Sequence, residues 1–206
     1  KINPNYYIVP DVLEDAAGTM HQWRGWALNH QPKENKSLRI GVVQGKTWQE
    51  LVDCYRFMSE EADYIAISFD YSYYGYTGAG RSKLEQWCSG RQRFIQDLID
   101  KGHWNWSKPH HLLGCSLARE FKYYVDKSIT NIRSVDTSNP IVAALKGLRY
   151  NGDLGLRVKP STMLCDLINA EVDEDTLETA LYNTKMFKYI VGRYEEENKI
   201  YSCEPA

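Results

Sequence analysis

The chain has 206 residues, 43% hydrophobic and 25% charged, an ordinary balance for a globular domain and enough length for one sizeable core. Its formal net charge of -2 excludes nucleic-acid binding through bulk charge, although 25 Lys and Arg leave room for a local basic surface. No apolar run approaches the roughly 20 residues of a membrane helix, no signal-peptide pattern opens the chain, and the five scattered cysteines include no CxxC pair, which argues against a disulfide framework or Cys-based zinc site and for the reducing cytoplasm.

Tyr6 to Pro10 reads as a strand followed by Asp11, and Leu13 to Leu28 carries apolar and small residues at helical spacing. Leu38 to Val43 is a second strand, ending in Gln44-Gly45. Thr47 then caps a helix over Trp48 to Met58, with Glu50 placed for a capping box. Tyr64 to Ser68 is a third strand. A loop rich in Tyr and Gly follows, Asp70 to Gly80, and then a helix over Leu84 to Lys101. His111 to Gly114 is a short fourth strand, Leu117 to Asp126 a helix, and Ile132 to Val135 the fifth strand. Pro140 opens a further helix at a position where its missing N–H costs nothing. Glu174 to Tyr194 is a last helix, with Leu177, Leu181, Phe187 and Val191 among its apolar positions.

Strands alternating with helices at this spacing predict parallel βαβ units. The expected fold class is α/β, with TIM-barrel-like (β/α) repeats in one domain over 1–206: barrel units at about 5–150 and a helical extension at about 160–206. Five units are too few for an eight-stranded barrel. Either the sheet is open, or this is the later part of a barrel lacking its first three units, which fits a chain starting at Lys1 inside a strand.

In parallel α/β proteins, ligands bind at the carboxyl ends of strands. Ser134-Val135-Asp136-Thr137-Ser138-Asn139-Pro140 and Ile40-Gly41-Val42-Val43-Gln44-Gly45 both end there in polar side chains. Asp136 is a candidate nucleophile, and its alternative is capping the helix near Pro140 in competition with Ser138. Gln44 has the matched donor and acceptor for a purine edge, or fills a loop by satisfying backbone. Asp11 is either a base-binding carboxylate or a helix N-cap. Tyr73, Tyr74, Arg81 and Lys83, in and just after the Tyr/Gly-rich loop, could grip nucleic acid by stacking and phosphate contact, the alternative being a solvent-exposed loop. Cys115 reads as a small buried thiol. His110 and His111 point to opposite faces of a strand, and no His or Cys cluster stands at ligand spacing, so no metal site is expected. Trp104-Asn105-Trp106 reads as packing under a strand–helix connection, and Glu195 to Glu197 as a solvated helix end.

Gly41-Val42-Val43-Gln44-Gly45, a helix, then Asp63-Tyr64-Ile65-Ala66-Ile67 resembles the tRNA-guanine transglycosylases. His111-Leu112-Leu113-Gly114 and Ser134-Val135-Asp136 continue that resemblance in order and spacing, over roughly Asn5 to Leu145. The chain is most similar to the branch of that family that inserts 7-deazaguanines into DNA. The resemblance implies a TIM barrel that exchanges guanine for a deazaguanine through a covalent intermediate. It implies Asp136 as nucleophile, Gln44 and Gly45 at the purine edge, and Asp11 accepting from the guanine N1–H and N2–H. Ser68 would lie against the base by its backbone. No cofactor is implied; the partners are DNA or tRNA and a 7-deazaguanine base, with a homo- or hetero-oligomer left open. The family's Cys-x-Cys-x-x-Cys plus His zinc site has no counterpart here, and its Pro-Thr-Arg is replaced by Thr137-Ser138-Asn139-Pro140; both departures favour DNA over tRNA. The family's acid/base aspartate lies upstream of the matched positions, which makes Asp70 the internal substitute. The alternative is an accessory or nucleic-acid-binding homologue that is catalytically incomplete.

Overall fold

The structure, a computed structural model, describes residues 4–29, 37–69, 72–151, 156 and 164–201. The chain divides into two compact units, Lys1–Leu113 with Asn131–Val135, and Gly114–Thr130 with Asp136–Ala206.

The first unit is built on five strands: β1 (Tyr6–Ile8), β2 (Leu38–Val43), β3 (Tyr64–Ile67), β4 (His110–Leu112) and β5 (Ile132–Val135). All four pairings are parallel and the strands lie in chain order, so each crossover steps one strand along the sheet. The sheet curls as a half-barrel. Register runs Ile8↔Ile40, Ile40↔Tyr64 and Ile65↔His110, with an irregularity between His110 and His111 where β4 meets β5. All four residues of β3 are buried, as expected of a central parallel strand covered on both faces. The α/β expectation and its parallel units are therefore what the chain forms.

Helices α1 (Ala16–Asn29), α2 (Trp48–Glu61), α3 (Ser72–Thr77) and α4 (Lys83–Asp100) belong to this unit. α2 packs on β2 and β3 through Leu51, Val52, Cys54, Tyr55 and Met58. Gly41 permits that contact, since a Cβ there would come within 2.5 Å of the Met58 sulfur. The predicted capping box is formed: the Thr47 hydroxyl accepts from the Glu50 N–H at 3.3 Å, and the Glu50 carboxylate accepts from the Thr47 N–H at 3.0 Å. Thr47→Ala is expected to cost about 1 kcal/mol. Thermal unfolding followed by circular dichroism should show this as a drop of about 2–4 °C.

The predicted Tyr/Gly-rich loop contains a helix, α3, in place of irregular chain. Its reason is tertiary. Tyr74 is fully buried, 5.7 Å between ring centroids from Phe94 of α4. Gly90 of α4 lies against the Tyr74 backbone so closely that a Cβ would fall 2.0 Å from the Tyr74 carbonyl oxygen. Glycine here brings two backbones together instead of loosening a turn.

The second unit holds α5 (Glu120–Asp126), α6 (Asn139–Leu145), a 3-10 turn (Leu164–Leu167) and α7 (Glu174–Tyr201). α7 packs on α5 and α6, burying Asn183, Phe187 and Ile190, while Leu177 and Leu181 face outward. The buried face is set by Asn183, whose amide donates to the Pro140 and Leu148 carbonyls at 3.2 and 2.9 Å and accepts the Tyr150 N–H at 2.8 Å. Three backbone groups, one in the first turn of α6 and two just beyond its end, are satisfied by one side chain, and that outweighs two leucines on the other face. Among the described residues no helix is long and apolar enough to cross a membrane. The side chains of Glu195 to Glu197 lie outside the described residues.

Candidate functional site

In the first unit, Gln44 stands directly after β2 and is buried, 2% exposed. Its Oε1 accepts the Glu14 N–H at 2.7 Å and its Nε2 donates to Asp11 Oδ2. Asp11 does not cap α1: Asp15 does, its Oδ1 accepting from the Gly18 N–H at 2.9 Å. The 11–15 turn is further locked by Thr19, whose hydroxyl accepts from Val12 N–H at 2.9 Å and donates to Val12 O at 3.1 Å. Glu14 sits in the left-handed backbone region, φ 54, which a non-glycine residue holds only when its surroundings require it. Here the Gln44 amide is one such restraint.

The Glu14 carboxylate is a site feature the sequence reading missed. Its Oε1 accepts from the Ser72 N–H at 2.6 Å and from the Ser72 hydroxyl. Those bonds, with the nearby Lys46 charge, hold its carboxyl below the ordinary Glu value. Nothing in the local sequence distinguishes Glu14 from a helix-start residue, because its partner lies 58 positions away.

Gly45 is required by packing, since a Cβ there would fall 2.9 Å from both Glu50 Cβ and the Leu51 nitrogen. Ser68 is buried, and its carbonyl accepts from Arg91 Nη1 at 3.2 Å. Asp70 lies outside the described residues. Tyr73 is partly buried, and that burial raises its hydroxyl pKa. Tyr74 is enclosed as described above. Tyr76 is 91% exposed, and Arg81 and Lys83 are exposed around the start of α4, which Ser82 caps by accepting the Glu85 N–H at 3.2 Å.

In the second unit, Asp136 is the first residue after β5 and is exposed. Its Oδ1 accepts the Gly114 N–H at 3.2 Å, and its backbone oxygen accepts the Cys115 N–H at 2.8 Å. Ser138 makes no side-chain cap bond to α6; the Thr137 hydroxyl instead accepts the Asn139 N–H at 3.1 Å. Asp136 is thus held by the 114–115 turn. Beneath that turn Cys115 is fully buried, its thiol 3.6 Å from Glu120 Oε2. Glu120 is itself only 1% exposed, and its Oε1 accepts the Tyr124 hydroxyl at 2.6 Å. This buried carboxylate had a signal: Leu117, Glu120, Phe121 and Tyr124 follow the 3-and-4 spacing of a core face, with a Glu in a core position.

The structure brings Asp11, Glu14 and Gln44 together in one unit and Asp136, Gly114, Cys115 and Glu120 in the other. Across the sheet, Ser134 Oγ lies 2.8 Å from His111 Nδ1 and 2.7 Å from the Tyr64 hydroxyl, linking β3, β4 and β5. Among the described residues no group of three or more His, Cys, Asp or Glu could hold a metal ion. No family model matches the chain, and no curated protein matches it.

Proposed function

We propose that this chain is a base-exchange transglycosylase, built on part of a TIM-like (β/α) barrel and acting in the cytoplasm. It replaces guanine in nucleic acid, DNA in preference to tRNA, with a 7-deazaguanine. The observation that carries this reading is Asp136: an exposed carboxylate immediately after a strand, anchored through one oxygen by the Gly114 N–H. Such a carboxylate suits a glycosidic carbon that develops oxocarbenium charge. One Asp136 oxygen attacks C1′ as the C1′–N9 bond breaks. Guanine departs with that electron pair and takes a proton from an acid, for which Asp70 is the internal candidate. The incoming deazaguanine gives its ring N–H proton to the conjugate base of that same acid, attacks C1′ and displaces the carboxylate.

One observation favours the alternative, a nucleic-acid-binding homologue without turnover. The Gln44 amide is buried and engaged with Glu14 and Asp11, so a purine edge would have to displace an internal bond to reach it.

The test is denaturing-gel trapping with guanine-containing DNA or tRNA plus a deazaguanine base, alongside Asp136→Ala. A covalent protein–nucleic acid band that disappears in the variant is the expected result, and the trapped polymer names the substrate. Absence of the band with both polymers, from folded protein, replaces this reading with the non-enzymatic one.

A further inference from the structure

A cleft of about 440 Å³ opens in the first unit, lined by Leu13, Glu14, Ser72, Lys83, Gln86 and Trp87. Its size falls within the roughly 300–1,000 Å³ of small-ligand sites. Its walls offer three chemistries. Trp87 and the exposed Leu13 are apolar, and the indole is held in place before any ligand arrives. It meets Phe69 edge-on at 5.9 Å, and Gly75 lies so close that a Cβ there would be 2.9 Å from the indole nitrogen. Glu14 is a fixed acceptor: Ser72 occupies its Oε1, which leaves Oε2 as the oxygen available to a ligand. Lys83 supplies a cation at the start of α4, and the Gln86 amide both donates and accepts.

A flat ring suits Trp87, an N–H donor suits Glu14, and an anionic tail suits Lys83. From this arrangement we infer that the cleft binds a nucleotide whose base carries an exocyclic amine, and cytosine against uracil is the pair that isolates this group. The amine donates to Glu14 Oε2, the ring lies against Trp87, and the phosphate meets Lys83. The discrimination is electrostatic. Where cytosine presents N4–H₂, uracil and thymine present a carbonyl oxygen, which sets two acceptors against each other across the carboxylate. This site is independent of the covalent chemistry proposed for Asp136, because binding a mononucleotide transfers no base.

The test is isothermal titration of the whole chain with dCMP and dUMP, which differ at the group facing Glu14. Binding of dCMP is expected to be about 10–100-fold tighter, the range for a hydrogen bond to a charged acceptor. Glu14→Gln keeps an oxygen for Ser72 but presents an amide to the ligand, and it should abolish that preference. Lys83→Gln, at an exposed position, should weaken dCMP and leave deoxycytidine unchanged. Short oligo(dC) added against dCMP separates the two sources of the ligand: tighter binding of the strand assigns the cleft to one nucleotide of single-stranded nucleic acid, and equal binding to a free nucleotide. The inference is overturned if neither dCMP nor dUMP binds, if they bind equally, or if the preference survives Glu14→Gln. It is overturned equally if Lys83→Gln leaves dCMP binding unchanged, a readout that stands even should the Glu14 variant fail to fold.

Discussion

Replacing Arg91 with Met is expected to destabilise the first unit by about 3 kcal/mol, measured by urea unfolding at neutral pH. Arg91 is fully buried in α4, where its guanidinium donates to the carbonyls of Ile67, Ser68 and Leu113 at 3.3, 3.2 and 2.7 Å and lies over the Phe69 ring at 4.8 Å. Those carbonyls sit at the carboxyl ends of β3 and β4, and the Ile67 carbonyl also accepts the Leu113 N–H at 2.9 Å. Two effects oppose each other on substitution. Met relieves the desolvation cost of a buried charge. It also takes the guanidinium from the Ser68 and Leu113 carbonyls at about 1–3 kcal/mol each, while the Ile67 carbonyl keeps the Leu113 N–H, and that loss wins. Arg91→Lys should recover only part of the stability, because an ammonium can donate to these carbonyls but gives up the planar guanidinium's stacking over the Phe69 ring. A loss below about 1 kcal/mol for Arg91→Met would mean that water replaces the guanidinium at the strand ends and that the charge is dispensable.

Arg91 also marks what could be read from the sequence. Leu84, Cys88, Arg91, Ile95 and Leu98 follow a 4-3-4-3 spacing, so a charged residue in the core seam of α4 was visible in the pattern. Which groups it would satisfy was not visible, because the carbonyls lie 22 to 24 positions away. The same division runs through the molecule. β2, β5 and the Thr47 capping box follow from local signals, apolar β-branched runs and a Thr three residues before a Glu. α3 does not, because its tyrosines and glycines read as a loop until α4 supplies a surface against which they close. At the candidate site, Asp136 and Gln44 were placed at strand ends by pattern alone. The partners that define their chemistry, Gly114 for one and Glu14 with Asp11 for the other, come from contacts 22 to 33 positions apart. Polar side chains announce themselves in sequence, whereas their bonding does not.

Acid should destabilise the first unit through His110. This ring is fully buried at the start of β4, stacked on Trp104 with centroids 3.9 Å apart, and its Nε2 lies 2.9 Å from the Tyr55 hydroxyl. Asn131 completes the cluster by accepting the Trp104 indole N–H at 3.0 Å and donating to the Asn105 and Lys108 carbonyls at 3.0 and 2.9 Å. Burial pushes the His110 pKa down to about 3, so the folded protein keeps this ring neutral. In the unfolded chain a histidine takes up its proton near pH 6.5. Above that pH neither state binds the proton and the group adds no pH dependence. Between about 6.5 and 3 the unfolded chain binds one proton more than the native chain, so stability falls as pH falls, by up to about 1.4 kcal/mol per pH unit. From pH 6.5 to 5 that amounts to roughly 1–2 kcal/mol from one side chain. The other histidines and the carboxylates titrate in the same scan, so the quantity to measure is a difference: urea unfolding of the parent and of His110→Gln at several pH values. Gln keeps a polar group near Tyr55 but cannot titrate, and it should be less stable at pH 7 with a slope shallower by about one proton below pH 6. Equal slopes in the two proteins would mean that His110 gains its proton in the folded state, and that the Trp104 stack opens to admit it.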